Sequence, residues 1–444
     1  MRTESDFLGT LEIPADAPWG IHTARALHNF PLSGNRLHPR LVAALFQVKK
    51  ACALTNKELE FLSAEKADAI CLACDELLLS TVESPLPALQ GGAGTSSNMW
   101  VNEQIARRAK VHPIEEVNLH QSTNDVFPTA VKVAAIFAFR DLAEKIEGLQ
   151  GTFQQLEKAF AHLPVMGRTE WSEAVPLTLG AQFGAFAEAF ARDRWRTFKC
   201  EERLRVVNLG GTAIGTGLTA PRAYIFLVTE KLREETGLGL ARAENLVDAT
   251  ANADAFVEVS GILKAFACNL QKVCNDLRLL HLQKLIELPA VQAGSSIMPG
   301  KVNPVILESV IQVAIKVRAN DQIISECVAN GTLQINEFMP LLADALLESL
   351  DLLSTAAQML AQHAKNISSN EAECERQFSQ SLEIVTAFLP VIGYDQATQL
   401  VQDFKKQSGA PNFRIFLEQQ LGKELVDQTL SPQNLMALGH RNIE

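Results

Sequence analysis

Residues 254–287 read DAFVEVSGILKAFACNLQKVCNDLRLLHLQKLIE. Phe256, Val259, Ile262, Leu263, Phe266, Leu270, Val273, Leu277 and Leu280 recur every three or four positions, which places them on one face of an α-helix. No proline interrupts the run, and at about 1.5 Å per residue it predicts a helix on the order of 45–50 Å long. Working outward, residues 304–329 and 341–365 continue the pattern. Residues 130–163 lack proline and predict one or two long helices, and residues 180–206 predict another. Helices this long, apolar beyond one stripe, need partners on more than one side. The expected fold class is all-α, a central long-helix bundle that oligomerises.

The flanks differ. Residues 1–40 are rich in Pro, Gly and His and predict an extended arm with turns. From Pro39 to about residue 80 helical spacing returns, and TVESPLPALQGGAGTSSN (81–98) breaks it as a loop. Beyond residue 366 shorter helices are separated by Gly and Pro. The predicted domains are 1–118, the central bundle 119–366, and a small helical domain 367–444.

The 444 residues are 47 % hydrophobic and 20 % charged, enough for a large core and unlike a disordered chain. Net charge is −11 and no Lys/Arg-rich block occurs, so nucleic acid and anionic membrane are not expected partners. An acidic total leaves room for a positive pocket that takes an anionic small molecule. Eight scattered cysteines fit a reducing cytosol. Cys71 and Cys74 form one CxxC on a predicted helix without a second pair at zinc-site spacing, which reads as two thiols on a helix face. MRTESDFLGTLEIP has no apolar h-region, and no apolar stretch is long enough to span a bilayer. The expected location is the cytoplasm.

Three motifs carry chemistry. In Gly294-Ser295-Ser296-Ile297-Met298-Pro299-Gly300-Lys301-Val302-Asn303-Pro304, glycines allow hinges, the middle offers hydroxyls and backbone N–H groups, and Lys301 and Asn303 add a charge and an amide. Asn303 as N-cap and Pro304 as first residue predict a helix start. Such a set suits binding a carboxylate and stabilising further negative charge on it. Amides and a lysine around a serine hydroxyl favour its ionised form. GGAGTSSNMWVNE (91–103) is a glycine-rich loop, weak by itself. Gln121-Ser122-Thr123-Asn124-Asp125 precedes an apolar run and by itself reads as a helix cap.

The first motif resembles the GSSxMPxKxNP signature loop of the aspartase/fumarase superfamily. The start of the chain, DFLGTLEIPADAPWGIHTARALHNFPLSG, is similar to the N-terminus of aspartases and class II fumarases, and NLGGTAIGTGL (208–218), CNDLRLL (274–280) and SPQNLM (431–436) extend the resemblance over essentially the whole chain. The resemblance implies a three-domain fold whose bundles form a tetrameric helical core, with composite sites from several chains. It implies that Thr95, Ser122, Thr123, Asn124, Thr169, Glu170 and Asn303 bind substrate, and that Ser295, Lys301 and Glu308 act in catalysis. The implied reaction is anti β-elimination from a succinate skeleton to fumarate. Ser295 removes the Cβ proton, and Lys301, Asn303 and loop amides hold the aci-carboxylate. The expected substrate is a small dicarboxylic amino acid, aspartate or an N-substituted aspartate. No metal or cofactor is expected, since no His/Cys cluster with ligand spacing and no P-loop lysine occurs.

Departures fall at the leaving-group end. Fumarases and many relatives have His at the place of Glu170, and some aspartases have Gln. There the His pairs with the residue matched by Glu308, so two carboxylates are expected to face each other across a proton or a substrate nitrogen. Trp100 replaces a usual Asn, as pocket wall or as packing. Glu337, beside Asn336, replaces a usual Val and is a candidate third acid. A Gly-Pro-Arg-x-Gly turn typical of relatives is missing between Leu280 and Gly294. His112-Pro113 is similar to a secondary anion site of fumarases, but Ile114, Glu115 and Glu116 alter that set and the site is not carried over. The competing readings are a fumarase, disfavoured by the missing His, and a catalytically silent structural or binding member.

Overall fold

The computed structural model describes residues 1–80, 82–407 and 412–439. Thr81 of the predicted loop, and residues 408–411 and 440–444 of the predicted third domain, lie outside them. The described residues are mainly helical. The long helices are α5 (Thr123–Ala159), α6 (Leu179–Leu204), α9 (Asp254–Leu282), α10 (Val305–Ala329) and α11 (Met339–Ala364), with the short α8 (Leu246–Ala251) just before α9, and among the described residues the few strands form four two-stranded pairs. None of these helices is long and apolar enough to cross a membrane. The chain divides into two compact units: Met1–Ala143, Trp195–Ala267 and Ala314–Ser354 form the first, and Glu144–Arg194, Cys268–Val313 and Thr355–Glu444 the second.

In the first unit, the predicted arm is more structured than its sequence shows. It holds a hairpin of β1 (Arg2–Asp6) and β2 (Gly9–Ile13) followed by α1 (Ile21–Asn29). The cap of α1 comes from far along the chain. The buried Glu103 carboxylate accepts from the N–H groups of Gly20, His22 and Thr23 and from Thr23 Oγ1. A helix whose first turn is satisfied by a residue some 80 positions away leaves no local signal. Next come α2 (Pro39–Glu58), capped by the His38 ring, and α3 (Ala64–Leu79), capped by Ser63. They pack with α4 (Thr95–Ala109) and α7 (Arg222–Thr236). Cys71 and Cys74 lie buried on α3, where burial pushes both thiols up.

Helix α5 starts before the proline-free run and continues through Pro128. Proline has no N–H for the carbonyl four residues back, which is that of Asn124. That carbonyl instead accepts from Asn208 Nδ2 at 2.9 Å. Helix α9 buries seven of its nine predicted face residues, and Ile262 and Leu280 are half-buried. It ends at Leu282, five residues earlier than predicted. Lys284, with φ 60°, donates its N–H to His281 O, and Leu285 N–H reaches Leu280 O. This is a Schellman ending with lysine where glycine is usual. It leaves Ile286–Glu287 free to pair with Ser368–Ser369.

In the second unit, Phe153 of α5 and Phe160 just beyond its end meet Phe183, Phe186 and Phe190 of α6. Each fully buried ring contributes roughly 2–3 kcal/mol. Strands β3 (Pro164–Thr169) and β4 (Ser172–Thr178) form an antiparallel hairpin with Thr169 opposite Ser172. The short C-terminal helices close over a separate core that includes Phe378, Phe388, Phe413 and Phe416.

Candidate active site

Two helix N-termini build the first part, in the first unit. Gly94, at φ 93°, precedes α4, and a Cβ there would lie 2.5 Å from the Phe127 ring of α5. Glycine therefore permits the close approach of the 91–94 loop to α5. Thr95 is exposed, and its Oγ1 donates to Gly92 O at 2.7 Å. Ser122 Oγ accepts from Asn124 N–H at 3.3 Å, while Asp125 Oδ1 accepts from Ser122 N–H at 3.0 Å. The cap reading of this motif is therefore right, and the Ser122 hydroxyl keeps a proton to donate. Thr123 is buried, and its Oγ1 accepts from Asn98 Nδ2. That bond joins α4 to α5. Asn124 is half-buried and donates to Ala213 O at 2.7 Å. Beside Asn124 opens a small hollow lined by Ala93, Lys132, Phe256 and Asn336 among others.

Asp125 anchors the segment from below. Its Oδ2 accepts from the N–H groups of Gly210 and Thr212, so the NLGGTAIGTGL stretch holds the start of α5. Burial pushes its carboxyl up to about 6 against the pull of these hydrogen bonds. On the other side lies Lys49 of α2, fully buried. It donates to Asn118 Oδ1 at 2.9 Å and to Gln121 Oε1 at 2.7 Å. Sequence reading passed over Lys49, Asn98 and Asn118. A lysine inside an apolar helical stretch was the available signal, because an unpaired buried cation is rare.

The second part lies in the second unit. Gly294 N–H donates to Lys301 O at 2.7 Å, and Asn303 Nδ2 donates to Gly294 O at 2.9 Å. These bonds close residues 294–303 into a loop. Within it, Ser295 Oγ accepts from the N–H groups of Ile297 at 3.2 Å and Met298 at 3.0 Å. Lys301 is exposed, and no hydrogen bond or ion pair engages its ammonium among the described residues. The helix start differs from expectation. The Asn303 amide closes the loop instead of capping, and α10 begins one residue later, at Val305. Glu308 is half-buried in the first turn of α10.

Thr169 and Glu170 stand apart from that loop in sequence, at the tip of the β3–β4 hairpin. Glu170 (φ 51°) and Trp171 (φ 69°) both adopt the left-handed conformation that a two-residue hairpin turn requires. Both are exposed, and neither the Glu170 nor the Glu308 carboxylate has a hydrogen-bond or ion-pair partner among the described residues. Trp100 is fully buried 6.4 Å from the Phe46 ring, so packing is the reading that holds. Glu337 accepts from Thr332 Oγ1. His112 Nδ1 accepts from the N–H groups of Ile114 and Glu115, a structural cap.

A family model described as Lyase matches residues 9–319. The aspartate ammonia-lyase of Pseudomonas canavaninivorans is 42 % identical over 461 aligned positions, covering 98 % of this chain and 97 % of that one. A fumarate lyase:delta crystallin from Brucella melitensis, solved bound to cobalt, is 40 % identical with a TM-score of 0.91 and covers 97 % of this chain and 98 % of its own. The recombinant class II fumarase from Schistosoma mansoni is 29 % identical at the same TM-score of 0.91, over 99 % of this chain and all of that one.

Proposed function

The chain belongs to this lyase family, and from that premise we infer that it is a carbon–nitrogen lyase converting aspartate to fumarate and ammonia. Relatives named aspartate ammonia-lyase match it from end to end. The observation that carries the chemistry is the pair of backbone N–H groups on Ser295 Oγ. Hydrogen bonds to an oxygen favour its anion, so this loop makes the Ser295 alkoxide less costly.

In the proposed reaction Ser295 first gives up its hydroxyl proton to solvent, and the alkoxide Oγ then takes the Cβ proton of aspartate. The electron pair of the broken C–H bond moves into the adjacent carboxylate, which becomes a dianionic aci-carboxylate. Lys301, whose ammonium is unengaged among the described residues, and the loop amides balance that charge, as does Asn303 through its remaining N–H. The pair then returns to form the Cα–Cβ double bond, and the Cα–N bond breaks. The nitrogen keeps the bonding pair and leaves as ammonia. Thr95, Ser122, Thr123 and Asn124 are assigned to the carboxylates. Thr95 must exchange its bond to Gly92 O for one to the substrate, and Thr123 must turn its hydroxyl from Asn98. Thr169, Glu170 and Glu308 are assigned to the amine end. These steps use no metal and no cofactor.

The protein is further read as a cytoplasmic homotetramer with sites completed by neighbouring chains, and with domains 1–118, 119–366 and 367–444. In support, large apolar side chains are exposed on the single chain, including Trp195 and Phe198 on α6 and Ile297 in the loop. The test of function is absorbance of fumarate during incubation with aspartate, and separately with malate. Fumarate from aspartate is expected, and Ser295→Ala abolishes it while circular dichroism stays unchanged. Turnover of malate with none of aspartate overturns the reading in favour of a hydratase.

A further inference from the structure

Lys49 sits on α2 with no exposed surface, and it is engaged by amide oxygens rather than by a carboxylate. Desolvation of an ammonium is expensive, and a well-packed apolar residue in such a place is often as stable or more so. Fold stability alone therefore does not account for a lysine here. What the ammonium does is local. Asn118 Oδ1 accepts from Lys49 Nζ, from Asn98 Nδ2 at 3.1 Å and from Asn102 Nδ2 at 3.1 Å. Asn98 and Asn102 belong to α4, the helix that begins at Thr95. Asn118 Nδ2 donates to Gln121 O, and Lys49 is the only donor to Gln121 Oε1 among the described residues. Asn98 also donates to Thr123 Oγ1. One ammonium thus ties the helix that starts at Thr95 to the segment leading into Ser122, Thr123 and Asn124.

We propose that Lys49 is a positioning residue for substrate capture: it fixes the spacing between Thr95 and Ser122–Asn124 through Asn118 and Gln121. The proposal rests on the reading above that these four residues hold the substrate carboxylates. Removing the ammonium leaves the half-buried Gln121 Oε1 without its donor, and the 118–122 turn relaxes to reach one. The ionisable groups whose charge acts on Lys49 are Cys52, Asp125 and Cys74. Asp125 already receives three backbone N–H groups, so it is not free to take over the turn.

The experiment compares wild type, Lys49→Met and Cys52→Ala as full-length proteins. Cys52 is one helical turn away on the same helix and equally buried, so its truncation reports a nearby core defect without touching the amide network. The readouts are KM and kcat for aspartate, and the Kd of succinate, a dicarboxylate that cannot eliminate ammonia. Lys49→Met is expected to raise KM and the succinate Kd at least about tenfold, with kcat changed little, which marks lost binding geometry rather than lost chemistry. Cys52→Ala is expected to lower thermal stability and leave both constants in place. Gln121→Leu, which removes the other end of the same bond, is expected to reproduce the Lys49→Met pattern and serves if that variant does not fold. Unchanged KM and Kd in Lys49→Met, an equal rise in Cys52→Ala, or failure of both network variants to fold each overturn the proposal. A wild type that binds succinate without converting aspartate overturns the assigned reaction and leaves the positioning claim to be judged on succinate alone. A wild type that does neither overturns both.

Discussion

Glu170 holds a backbone conformation that costs a carboxylate residue something to adopt. At φ 51°, followed by Trp171 at φ 69°, it occupies a turn where Asn-Gly is the usual pair. Left-handed geometry costs an ordinary residue roughly 1–2 kcal/mol, and among the described residues nothing pairs with this exposed side chain to offset it. If the amine of aspartate is its partner, Glu170→Gln loses a charge-assisted hydrogen bond. KM for aspartate then rises about tenfold with little change in thermal midpoint, since a charged hydrogen bond contributes roughly 1.5–3 kcal/mol. An unchanged KM removes Glu170 from the amine end. Lys49 gives a second prediction, with a definite sign in pH. Burial lowers its pKa from 10.5 to about 8, so between those values the unfolded chain holds a proton that the folded chain has released. Stability from this group is therefore fully present above pH 10.5 and is lost as pH falls through about 8. Relative to Lys49→Met, the wild type should gain on the order of 2–3 kcal/mol between pH 8 and 10.5 in urea unfolding. A flat difference across that range contradicts the sign.

At the scale of elements, the signature loop and the start of α5 share one design: side chains satisfy backbone groups that regular structure leaves open. Asn208 takes the carbonyl that Pro128 abandons, and Asn303 takes the carbonyl of Gly294. Both fix a polar residue in place, Asn124 in one case and Ser295 in the other. Gly294 is the tightest point of the loop. A Cβ there would lie 2.9 Å from both Asn303 N and Lys301 O, which are backbone atoms that cannot swing aside. Gly294→Ala should therefore force the closure open and lower kcat/KM at least a hundredfold, a loss of roughly 2.7 kcal/mol in transition-state binding. Because the loop is mostly exposed, the thermal midpoint should stay within a few degrees. Activity kept near wild type would show that closure by Gly294 and Lys301 is not what orients Ser295. These closures explain what the sequence made legible. The apolar step of three or four in α9 is written locally, and so is the string of hydroxyls, lysine and amides in the loop. The cap of α1 by Glu103, the loop-closing role of Asn303 and the Lys49 network depend on atoms far apart along the chain, and no local window contains them.

For the whole molecule, the decisive property is how the assigned residues are distributed. Thr95, Ser122, Thr123 and Asn124 belong to one compact unit, and Ser295, Lys301, Asn303 and Glu308 to the other, with Thr169 and Glu170 on a hairpin of that second unit. Bulk sequence properties were sound guides to class, because long proline-free apolar runs need a helical bundle, but they are silent about which chain completes which site. The proposed tetramer makes a sharp prediction on this point. If carboxylate-binding and base-bearing groups of one site come from different chains, two inactive variants complement each other. Ser295→Ala and Asn124→Ala chains, each inactive alone, are mixed in equal amounts, dissociated in mild denaturant and allowed to reassemble. Random assembly then gives about one site in four with both contributions intact, and roughly a quarter of wild-type activity returns. Sites built within single chains would carry one defect each, and no activity would return whatever the oligomeric state. The same mixture examined by sedimentation separates the remaining case: recovered activity in a species of monomer mass would contradict both the tetramer and the shared site, since a lone chain cannot borrow the serine that its neighbour supplies.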